Sequence, residues 1–142
     1  MNLRDLITDD LILADMKARD KRTAINEIVA FMCARNGISE ENARKVEAAV
    51  LRREGRGTTG IGKGVAIPHC TTTNVDEIIV LLATCDSGID FDSVDSEPVR
   101  ITILLLVPKN KLTQHIKTLA NIARLMNNDD LRSRLLTLKT PD

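Results

Sequence analysis

Two segments in the first half of the chain carry hydrophobic residues at helical spacing. Residues 20–36 begin at Asp20, whose side chain suits an N-cap, and stop before Gly37, which favours a helix end. Residues 39–54 repeat the arrangement after Ser39. The pattern therefore predicts two helices, whose inner faces are formed by Ile25, Ile28, Val29 and Met32 in the first and by Ala43, Val46 and Val50 in the second.

Two later segments are continuous runs dominated by β-branched residues and leucine. Residues 78–84 and 101–107 are rich in β-branched residues and leucine, which is typical of central strands buried on both faces. The polar stretch between them, residues 86–98, is predicted to be a connection that Ile89 and Phe91 hold to the core.

The strongest helical stripe lies after these strands, in residues 112–126, and its members are Leu112, Ile116, Leu119, Ala123 and Met126. A last short helix is predicted from Asn128 or Asp129, with Leu131, Leu135 and Leu138 on its inner face. Strands with helices before and after them predict a layered α/β domain. No repeat or linker is visible, so residues 1–142 are expected to form a single domain.

Composition narrows the function classes. The chain has 142 residues, of which 43% are hydrophobic, and this suffices for one core. Lys and Arg number 20, as do Asp and Glu, so the net charge of zero does not favour nucleic acid or an anionic membrane surface as a partner. The chain has two Phe and no Trp or Tyr, which disfavours stacking on bases or on sugars.

The cysteines and the apolar runs indicate in which cellular compartment the chain is expected and whether it inserts into a membrane. Cys33, Cys70 and Cys85 are widely spaced and form no metal-binding motif, so we expect no metal site and a reducing, cytoplasmic compartment. The N-terminus lacks the apolar core of a signal peptide. Apolar runs such as residues 103–107 are far too short to span a bilayer, so no direct membrane insertion is expected.

The most informative motif is the glycine-rich stretch 57–64, followed by Val65-Ala66-Ile67-Pro68 and His69. Glycines let backbone N–H groups converge on an anion. Pro68 cannot donate to a sheet ladder, so the short strand should end there and present His69 just past its end. Neutral imidazole is a good nucleophile and phosphoimidazole a good leaving group, so a phosphoryl group is the obvious candidate for that anion.

A nucleotide-binding P-loop is an alternative interpretation of the same glycines. The spacing from Gly57 to Lys63 matches GxxxxGK, but Gly64 stands where a P-loop carries the Ser or Thr that binds Mg²⁺. The stretch also follows a predicted helix and precedes a strand, which is the reverse of the P-loop context. The sequence therefore disfavours a nucleotide site.

Three other residues are candidates for phosphoryl chemistry. Arg53 ends a helix directly before the glycines, where a guanidinium could clamp a phosphoryl group, and Arg52 is the alternative. His115 lies in the first turn of a predicted helix, either as a partly buried structural residue or as a donor to a phosphoryl oxygen. Glu54 is a candidate ion-pair partner for one of the arginines.

Cys70 directly follows His69 and raises the possibility of a Cys–His nucleophile pair. Adjacent residues of an extended chain point to opposite sides, so the two side chains would not meet. Cys70 is therefore predicted to be a small packing residue.

These residues resemble the EIIA domains of the bacterial phosphoenolpyruvate-dependent sugar phosphotransferase system, in the fructose, mannitol and nitrogen-regulatory class (type 2). The resemblance runs along essentially the whole chain and is carried by Leu51-Arg52-Arg53-Glu54, Thr59-Gly60-Ile61-Gly62, Gly64-Val65-Ala66-Ile67-Pro68-His69, Leu106-Val107-Pro108 and the helix with His115. The sequence departs from the family at Lys63, where many members carry Asn, and at Cys70, where Gly is common.

The resemblance implies a three-layer α/β/α sandwich with a mixed sheet between helices. It also implies that His69 is phosphorylated on Nε2, that His115 supports it, and that Arg53 lies near the phosphoryl group. The phosphoryl-binding loop is expected to comprise Gly60, Gly62, Lys63 and Gly64. No metal and no organic cofactor are expected.

The function implied by the resemblance is that of a phosphotransferase component. An HPr-like phosphocarrier would phosphorylate His69, and the group would pass to an EIIB domain for sugar uptake. The alternative is a nitrogen-class regulator, whose His69 phosphorylation state controls binding to partner proteins. In either case Lys63, Arg53 and Arg56 are the expected positive groups of the docking surface.

Overall fold

The computed structural model describes residues 12–14, 16, 18–73, 75, 77–91, 93–129 and 132–133, with the backbone alone at 86 and 112–115. Within these residues the three predicted long helices are confirmed, as α1 (Lys21–Arg35), α2 (Glu40–Gly55) and α3 (Leu112–Met126). Of the predicted last helix, Asp129 and residues 132–133 are helical, whereas its predicted inner face at Leu131, Leu135 and Leu138 lies outside the described residues. No helix in the described part of the chain is long and apolar enough to cross a bilayer.

The first two helices begin at the predicted caps. Asp20 accepts hydrogen bonds from the backbone N–H of Thr23 at 2.9 Å and from its hydroxyl at 3.0 Å, and these bonds lower the pKa of the Asp20 carboxyl. The Ser39 hydroxyl oxygen accepts from the Asn42 backbone N–H at 3.2 Å. Both caps satisfy first-turn donors that no helical carbonyl can reach.

Helix α1 ends before Gly37, as predicted. Gly37 adopts a left-handed conformation with φ of 68°, which glycine reaches without the steric cost that a Cβ imposes. The Ile38 backbone N–H then donates to the Cys33 carbonyl at 3.0 Å, which is the long-range bond of a Schellman motif. This turn leads directly to the cap of α2.

The strands of the described residues form one mixed sheet: β1 (Ile12–Leu13), β2 (Gly60–Gly62), β3 (Val65–Ala66), β4 (His69–Thr72), β5 (Ile79–Ile89) and β6 (Val99–Pro108). The strand order is β1-β5-β6-β3-β2, and β4 also pairs with β6. β5 and β6 are antiparallel, whereas β3 and β4 run parallel to successive parts of β6. The two shorter partners are β1, parallel to β5, and β2, antiparallel to β3.

Different helices cover the two faces of this sheet. α1 and α2 pack on the face that contains Leu81 and Leu104, and Ile122 of α3 packs on the face that contains Leu82 and Ile103. Neighbouring residues of the central strands thus enter opposite cores, as the two-residue repeat of a strand requires. The three-layer α/β/α architecture with a mixed sheet is confirmed.

Strand β5 is longer than predicted, because it runs on to Ile89 instead of ending at Thr84. Its pairing with β6 shifts register between these two residues, and Gly88 adopts φ of 83° there. A bulge of this kind lets a strand continue through polar and glycine residues, which a hydropathy pattern interprets as a loop. Ile89 and Phe91 are fully buried, as predicted.

The predicted inner stripe of α3 is wrong at Ile116, which is 64% exposed. Met126 is buried as predicted, and Leu119 and Ala123 are partly buried against the core. Among the described side chains of this helix, the fully buried ones are Thr118, Ile122 and Met126. These three also follow four-residue spacing, but the polar Thr118 hides their stripe in a pattern based on apolar residues alone.

Candidate functional site

Strand β3 leads directly to His69. The strand ends at Ala66, which confirms that it stops before Pro68. His69 follows the end of β3, as predicted, but it also begins a further strand, β4, in parallel register with Leu105 of β6. The Leu105 backbone N–H donates to the Pro68 carbonyl at 3.0 Å, so the proline joins the sheet through its carbonyl alone.

A backbone carbonyl orients the imidazole of His69. The ring Nδ1 lies 2.9 Å from the Ile67 carbonyl oxygen, and His69 is only 9% exposed. Because a carbonyl oxygen can only accept, Nδ1 carries the hydrogen of this bond. In the neutral ring the lone pair is therefore on Nε2.

The surroundings of His69 keep its ring neutral. Burial lowers the pKa of His69 below the ordinary value of 6.5, and the positive charge of Arg53 lowers it further. The hydrogen bond to Ile67 and the charge of Glu54 raise the pKa, but less than burial and Arg53 together lower it. At neutral pH the side chain is thus an uncharged imidazole, which is the nucleophilic form.

His69 opens into a cavity of about 390 Å³, which is lined by Ala49, Arg52, Arg53, Arg56, His69, Cys70, Thr71 and Lys109. Four of these eight residues are Arg or Lys, and none is Asp or Glu. A cavity with this lining attracts anions, because like charges that converge without a counter-charge are stabilised by a bound negative group. It is the candidate functional site.

Both arginines proposed from the sequence line this cavity. Arg53 is the less exposed of the two, and its Nη1 donates to the Gly57 carbonyl at 2.9 Å. That bond ties the guanidinium to the first residue of the glycine stretch. Since Arg53 also acts on the pKa of His69, it is the better candidate for a contact with a group bound at the imidazole.

Glu54 does not pair with either arginine, which corrects one expectation. Its carboxylate is buried and lies 3.1 Å from Nζ of Lys21, at the start of α1. It also accepts hydrogen bonds from the Thr59 hydroxyl and from the Thr59 backbone N–H, the latter at 3.2 Å to each oxygen. Glu54 therefore connects α1, α2 and the beginning of β2.

A chain of hydrogen bonds runs from Glu54 to His69. Glu54 accepts from Thr59, the Thr59 carbonyl accepts from the Ile67 backbone N–H at 3.0 Å, and the Ile67 carbonyl accepts from His69. Each bond restricts the peptide that makes the next one. The buried carboxylate thereby helps to set the orientation of the imidazole, although the two side chains do not bond directly.

The glycine stretch forms the hairpin between β2 and β3. None of the residues from Gly60 to Gly64 lines the cavity. Lys63 and Gly64 have φ of 58° and 77°, which is the geometry of a type I′ turn. The Gly60 carbonyl accepts from Val94, and the Gly64 carbonyl accepts from Arg100 at 2.8 Å. These contacts give the hairpin a packing role against residues 93–101.

Gly62 and Lys63 make contacts of the same kind. The Lys63 backbone N–H donates to a carboxylate oxygen of Asp95 at 2.8 Å, which lowers the pKa of Asp95, and the Lys63 ammonium lies 3.4 Å from Oδ1 of Asn127. A Cβ at Gly62 would lie 3.1 Å from the Asp95 carboxylate. A phosphoryl-binding role for Gly60, Gly62, Lys63 and Gly64 stays a prediction that these contacts do not require.

His115 is the fourth residue of α3, as its position in the sequence implies. The side chain of His115 lies outside the described residues, so its supporting role stays a prediction. Cys70 is buried in the core beneath α1 and α2, in agreement with a packing role. Burial, and secondarily Cys33, raises the pKa of the Cys70 thiol to about 12, so it is not a reactive thiolate.

Sequence reasoning placed Arg56 only in the docking surface and missed Thr71 and Lys109. β4 and β6 run parallel, and their register ends at Thr72 beside Pro108, so Lys109 emerges next to the end of β4. Lys109 could have been found only by pairing these strands, which a hydropathy pattern does not do. Among the described residues no three His, Cys, Asp or Glu side chains converge as a metal-binding group.

The sequence matches one protein family over residues 5–142, the EIIA 2 family of the phosphoenolpyruvate-dependent sugar phosphotransferase system. A nitrogen regulatory protein of Bradyrhizobium diazoefficiens is 38% identical over 95% of this chain and 86% of its own length. A fructose-specific EIIABC component of Bacillus subtilis is 26% identical over the whole chain, which spans 22% of that protein.

Among solved structures, the nitrogen regulatory protein IIA-Ntr of Neisseria meningitidis has a similar fold. Its TM-score is 0.87 at 25% identity, with 98% of this chain and 93% of that chain covered. The similarity therefore extends over the three layers of the sandwich.

Proposed function

Because this chain belongs to the EIIA 2 family of the phosphoenolpyruvate-dependent sugar phosphotransferase system, we propose that it is a phosphoryl carrier whose acceptor is Nε2 of His69. The observation that carries the proposal is the bond of 2.9 Å between Nδ1 and the Ile67 carbonyl. It fixes the tautomer with its lone pair on Nε2, in a ring that burial keeps neutral.

The transfer needs no proton to move. Nε2 of His69 attacks the phosphorus of a phosphohistidine on the donor, a new P–N bond forms, and the P–N bond of the donor breaks. The electron pair of that bond stays on the donor ring, which leaves as a neutral imidazole. Nδ1 of His69 keeps its hydrogen and donates it to the Ile67 carbonyl throughout, and this carbonyl stabilises the positive charge that develops on the phosphorylated ring.

Arg53 supplies charge for the transferred group. The phosphoryl oxygens carry the negative charge of the transition state, and a guanidinium at the cavity wall can meet two of them at once. His115, from the start of α3, is proposed as a second donor to these oxygens. The residues themselves thus provide the nucleophile and the charge stabilisation that phosphoryl transfer needs.

We propose an HPr-like phosphocarrier as donor and an EIIB domain as acceptor, so that the chain acts as a relay for sugar uptake. The sugar-specific EIIABC relative supports this destination. Three free, buried cysteines fit a reducing compartment, and we place the relay in the cytoplasm.

A second candidate function is that of a nitrogen-class regulator, in which the phosphorylation state of His69 controls the binding of other proteins. It is supported by the 38% identity to a nitrogen regulatory protein, against 26% to the fructose-specific component. The two functions share the phosphorylation step. They differ in whether the partner accepts the phosphoryl group or binds according to the phosphorylation state of His69.

The phosphorylation step is tested by incubation with phosphoenolpyruvate, Enzyme I and an HPr-like carrier, followed by intact-mass measurement. Wild type should gain one phosphoryl group that is lost in acid and kept in base, and His69→Ala should gain none. His115→Ala is the matched histidine control, which should still be phosphorylated. A phosphorylated His69→Ala protein would refute the proposal.

A relay and a regulator can be distinguished by whether an EIIB acceptor removes the phosphoryl group or another protein binds in a way that depends on it. An EIIB acceptor should remove it rapidly from a relay, and no other protein should bind more tightly to one state of His69. Affinity capture with phosphorylated wild type and with His69→Ala measures the second point. A stable partner that distinguishes the two states would establish the regulator instead.

A further inference from the structure

The cavity at His69 is larger than a single phosphoryl group requires. Its volume of about 390 Å³ equals that of about 13 molecules of liquid water at about 30 Å³ each. A phosphoryl group adds only one phosphorus and three oxygen atoms to Nε2. The volume lies within the range of about 300–1,000 Å³ that is typical of sites for small organic molecules. The cavity therefore has room for a ligand that extends beyond the transferred group.

The polar side chains of the cavity lie at two depths. His69 is buried and Arg53 is half-buried, so these two side chains lie in its inner part. Arg52, Arg56 and Lys109 line the same cavity but are exposed, and they therefore lie at its mouth. They come from different parts of the fold, because the two arginines end α2 and Lys109 directly follows β6. The cavity thus offers an inner position for an anion and a second, outer one.

The cations at the mouth have no acidic partner within the protein. In the part of the chain that the structure describes, no carboxylate lies within ion-pair distance of Arg52, Arg56 or Lys109. The carboxylate of Glu54, which is close in sequence, is buried and paired with Lys21 instead. Cations that converge without a counter-charge are stabilised by a bound anion, so the outer position favours a second negative group on the same ligand.

The rest of the lining disfavours several classes of ligand. Apart from His69, the uncharged lining residues are Ala49, Cys70 and Thr71, and none of these three is aromatic or carries an amide side chain. A nucleobase would find no aromatic ring to stack on. A ligand rich in hydroxyl groups would find no carboxylate or side-chain amide to accept its hydrogens. The lining thus fits a small aliphatic molecule with at least two anionic groups.

We propose that this cavity also binds, as a free ligand, a small aliphatic phosphate monoester that carries a carboxylate at the other end of its carbon chain. Its phosphate lies in the inner part, beside Nε2 of His69 and the guanidinium of Arg53. This placement of the phosphate rests on the proposed function, which puts the transferred phosphoryl group at the same position. The carboxylate lies at the mouth, against Arg56 and Lys109, and an arginine can hold a carboxylate with two parallel hydrogen bonds.

Binding of this ligand regulates the nitrogen that phosphoryl transfer uses. A phosphate beside Nε2 occupies the position that an incoming phosphorus must take, so the free ligand competes with the phosphorylated donor. Its negative charge also raises the pKa of the His69 imidazole, in opposition to the effect of burial. A protonated Nε2 has no lone pair with which to attack phosphorus. The ligand-bound state is therefore unreactive for two reasons.

A matched pair of ligands tests the outer anion position. The two probes are 3-phosphoglycerate and glycerol 3-phosphate, which share a three-carbon skeleton and differ only at the far carbon. That carbon is a carboxylate in the first and a hydroxymethyl group in the second. Isothermal titration calorimetry with the unphosphorylated full chain should give a Kd for 3-phosphoglycerate that is at least about tenfold lower, which corresponds to about 1.4 kcal/mol. Equal affinities, or no binding of 3-phosphoglycerate at millimolar concentration, would overturn the inference.

Two protein variants and one control locate the carboxylate. Arg56→Ala and Lys109→Ala should each weaken the binding of 3-phosphoglycerate by about threefold, as expected for an exposed ion pair, and should leave the binding of glycerol 3-phosphate nearly unchanged. Lys45→Ala removes an exposed lysine of α2 that does not line the cavity, and should change neither affinity. Lys109 lies outside the helices, so its variant is informative even if Arg56→Ala disturbs the end of α2. A preference for 3-phosphoglycerate that persists in full in both variants would refute the assignment.

Titration of His69 tests the inner position. In ¹⁵N spectra of the imidazole recorded against pH, saturating 3-phosphoglycerate should raise the pKa of His69. An unchanged pKa would show that the phosphate does not reach the inner part of the cavity, and would overturn the inference.

Failure of this inference is distinguishable from failure of the proposed function. In the phosphorylation assay with an HPr-like carrier, 3-phosphoglycerate should raise the apparent KM for the phosphorylated donor more than glycerol 3-phosphate does at the same concentration. If the chain accepts no phosphoryl group, the proposed function fails, whereas calorimetry and the titration of His69 still decide whether the ligand binds. If the chain is phosphorylated equally well with and without 3-phosphoglycerate, this inference alone is overturned.

Discussion

Replacement of Glu54 tests how a buried carboxylate supports the site. Glu54 is 6% exposed and holds both the Thr59 backbone N–H and the Lys21 ammonium. Glu54→Ala removes both interactions and leaves a buried N–H without its acceptor. Glu54→Gln keeps an acceptor for Thr59 but removes the charge that pairs with Lys21.

The size of each effect follows from these contacts. A hydrogen bond to a charged acceptor contributes about 1.5–3 kcal/mol. Loss of one partner of a fully buried ion pair costs about 3–5 kcal/mol, but the Lys21 side chain is 20% exposed and can turn to water, which reduces that cost. We therefore expect Glu54→Ala to lower the free energy of unfolding by about 3–4 kcal/mol and Glu54→Gln by about 1–2 kcal/mol.

Urea unfolding followed by circular dichroism measures both values, and Glu77→Ala is the matched control. Glu77 also pairs with a lysine, Lys111 at 2.6 Å, but its side chain is 77% exposed. An exposed ion pair contributes about 1 kcal/mol at most, so this variant should remain close to wild type. Equal losses in Glu54→Ala and Glu77→Ala would refute the structural role assigned to the buried carboxylate.

Glu54→Gln also tests the chain of hydrogen bonds to His69, because it should remain folded. The amide oxygen of the glutamine still accepts a hydrogen bond from Thr59, so the hydrogen bonds through Ile67 and the hydrogen on Nδ1 of His69 should persist. In folded Glu54→Ala, a larger fraction of the other tautomer should appear in the ¹⁵N spectrum of the imidazole. An unchanged tautomer ratio there would show that Glu54 stabilises the fold without orienting the ring.

Three further outcomes are expected. Gly60→Ala should lower the free energy of unfolding by at least about 1–3 kcal/mol, because its Cβ would overlap the Ser93 hydroxyl and lie 3.0 Å from Ser93 Cα. Gly55→Ala is the control: no atom lies within 4 Å of its Cβ, so it should be neutral or stabilising in the same urea assay. Because the pKa of His69 is lowered from 6.5, the rate of phosphoryl transfer to His69 should persist as the pH falls past that value. The free energy of unfolding should decrease over the same pH range, since the imidazole of the unfolded chain binds a proton first, and His69→Gln should lack this pH-dependent decrease. Arg53→Lys should slow phosphoryl transfer about tenfold or more in rapid quench, because a point charge replaces a two-pronged donor, and an unchanged rate would contradict its role.

Local signals explain why much of the fold could be predicted. The caps at Asp20 and Ser39 and the turn at Gly37 act within a few residues of sequence, so the helix bounds followed from them. The interruption at Pro68 ended β3 for an equally local reason. His69 was found because a proline and a glycine-rich stretch preceded it.

The rest depends on contacts between distant parts of the chain. Lys109 reaches the cavity only because β4 pairs in parallel with β6, and Glu54 selects Lys21 only because α1 and α2 pack together. The contacts of Lys63 with Asp95 and Asn127 also join distant parts of the chain, and its role at the phosphoryl group stays a prediction. Partners far apart in sequence leave no periodic or local signal, which is why these three assignments required the structure.

The central proposal, that Nε2 of His69 is the phosphoryl acceptor, is tested most directly by ¹H–¹⁵N correlation of the imidazole before and after enzymatic phosphorylation. Before the reaction, the hydrogen should be on Nδ1 of His69. Afterwards, a single phosphorus coupling should appear at Nε2, with Nδ1 still protonated. Attachment at Nδ1, attachment at His115, or a free ring with its hydrogen on Nε2 would contradict the account.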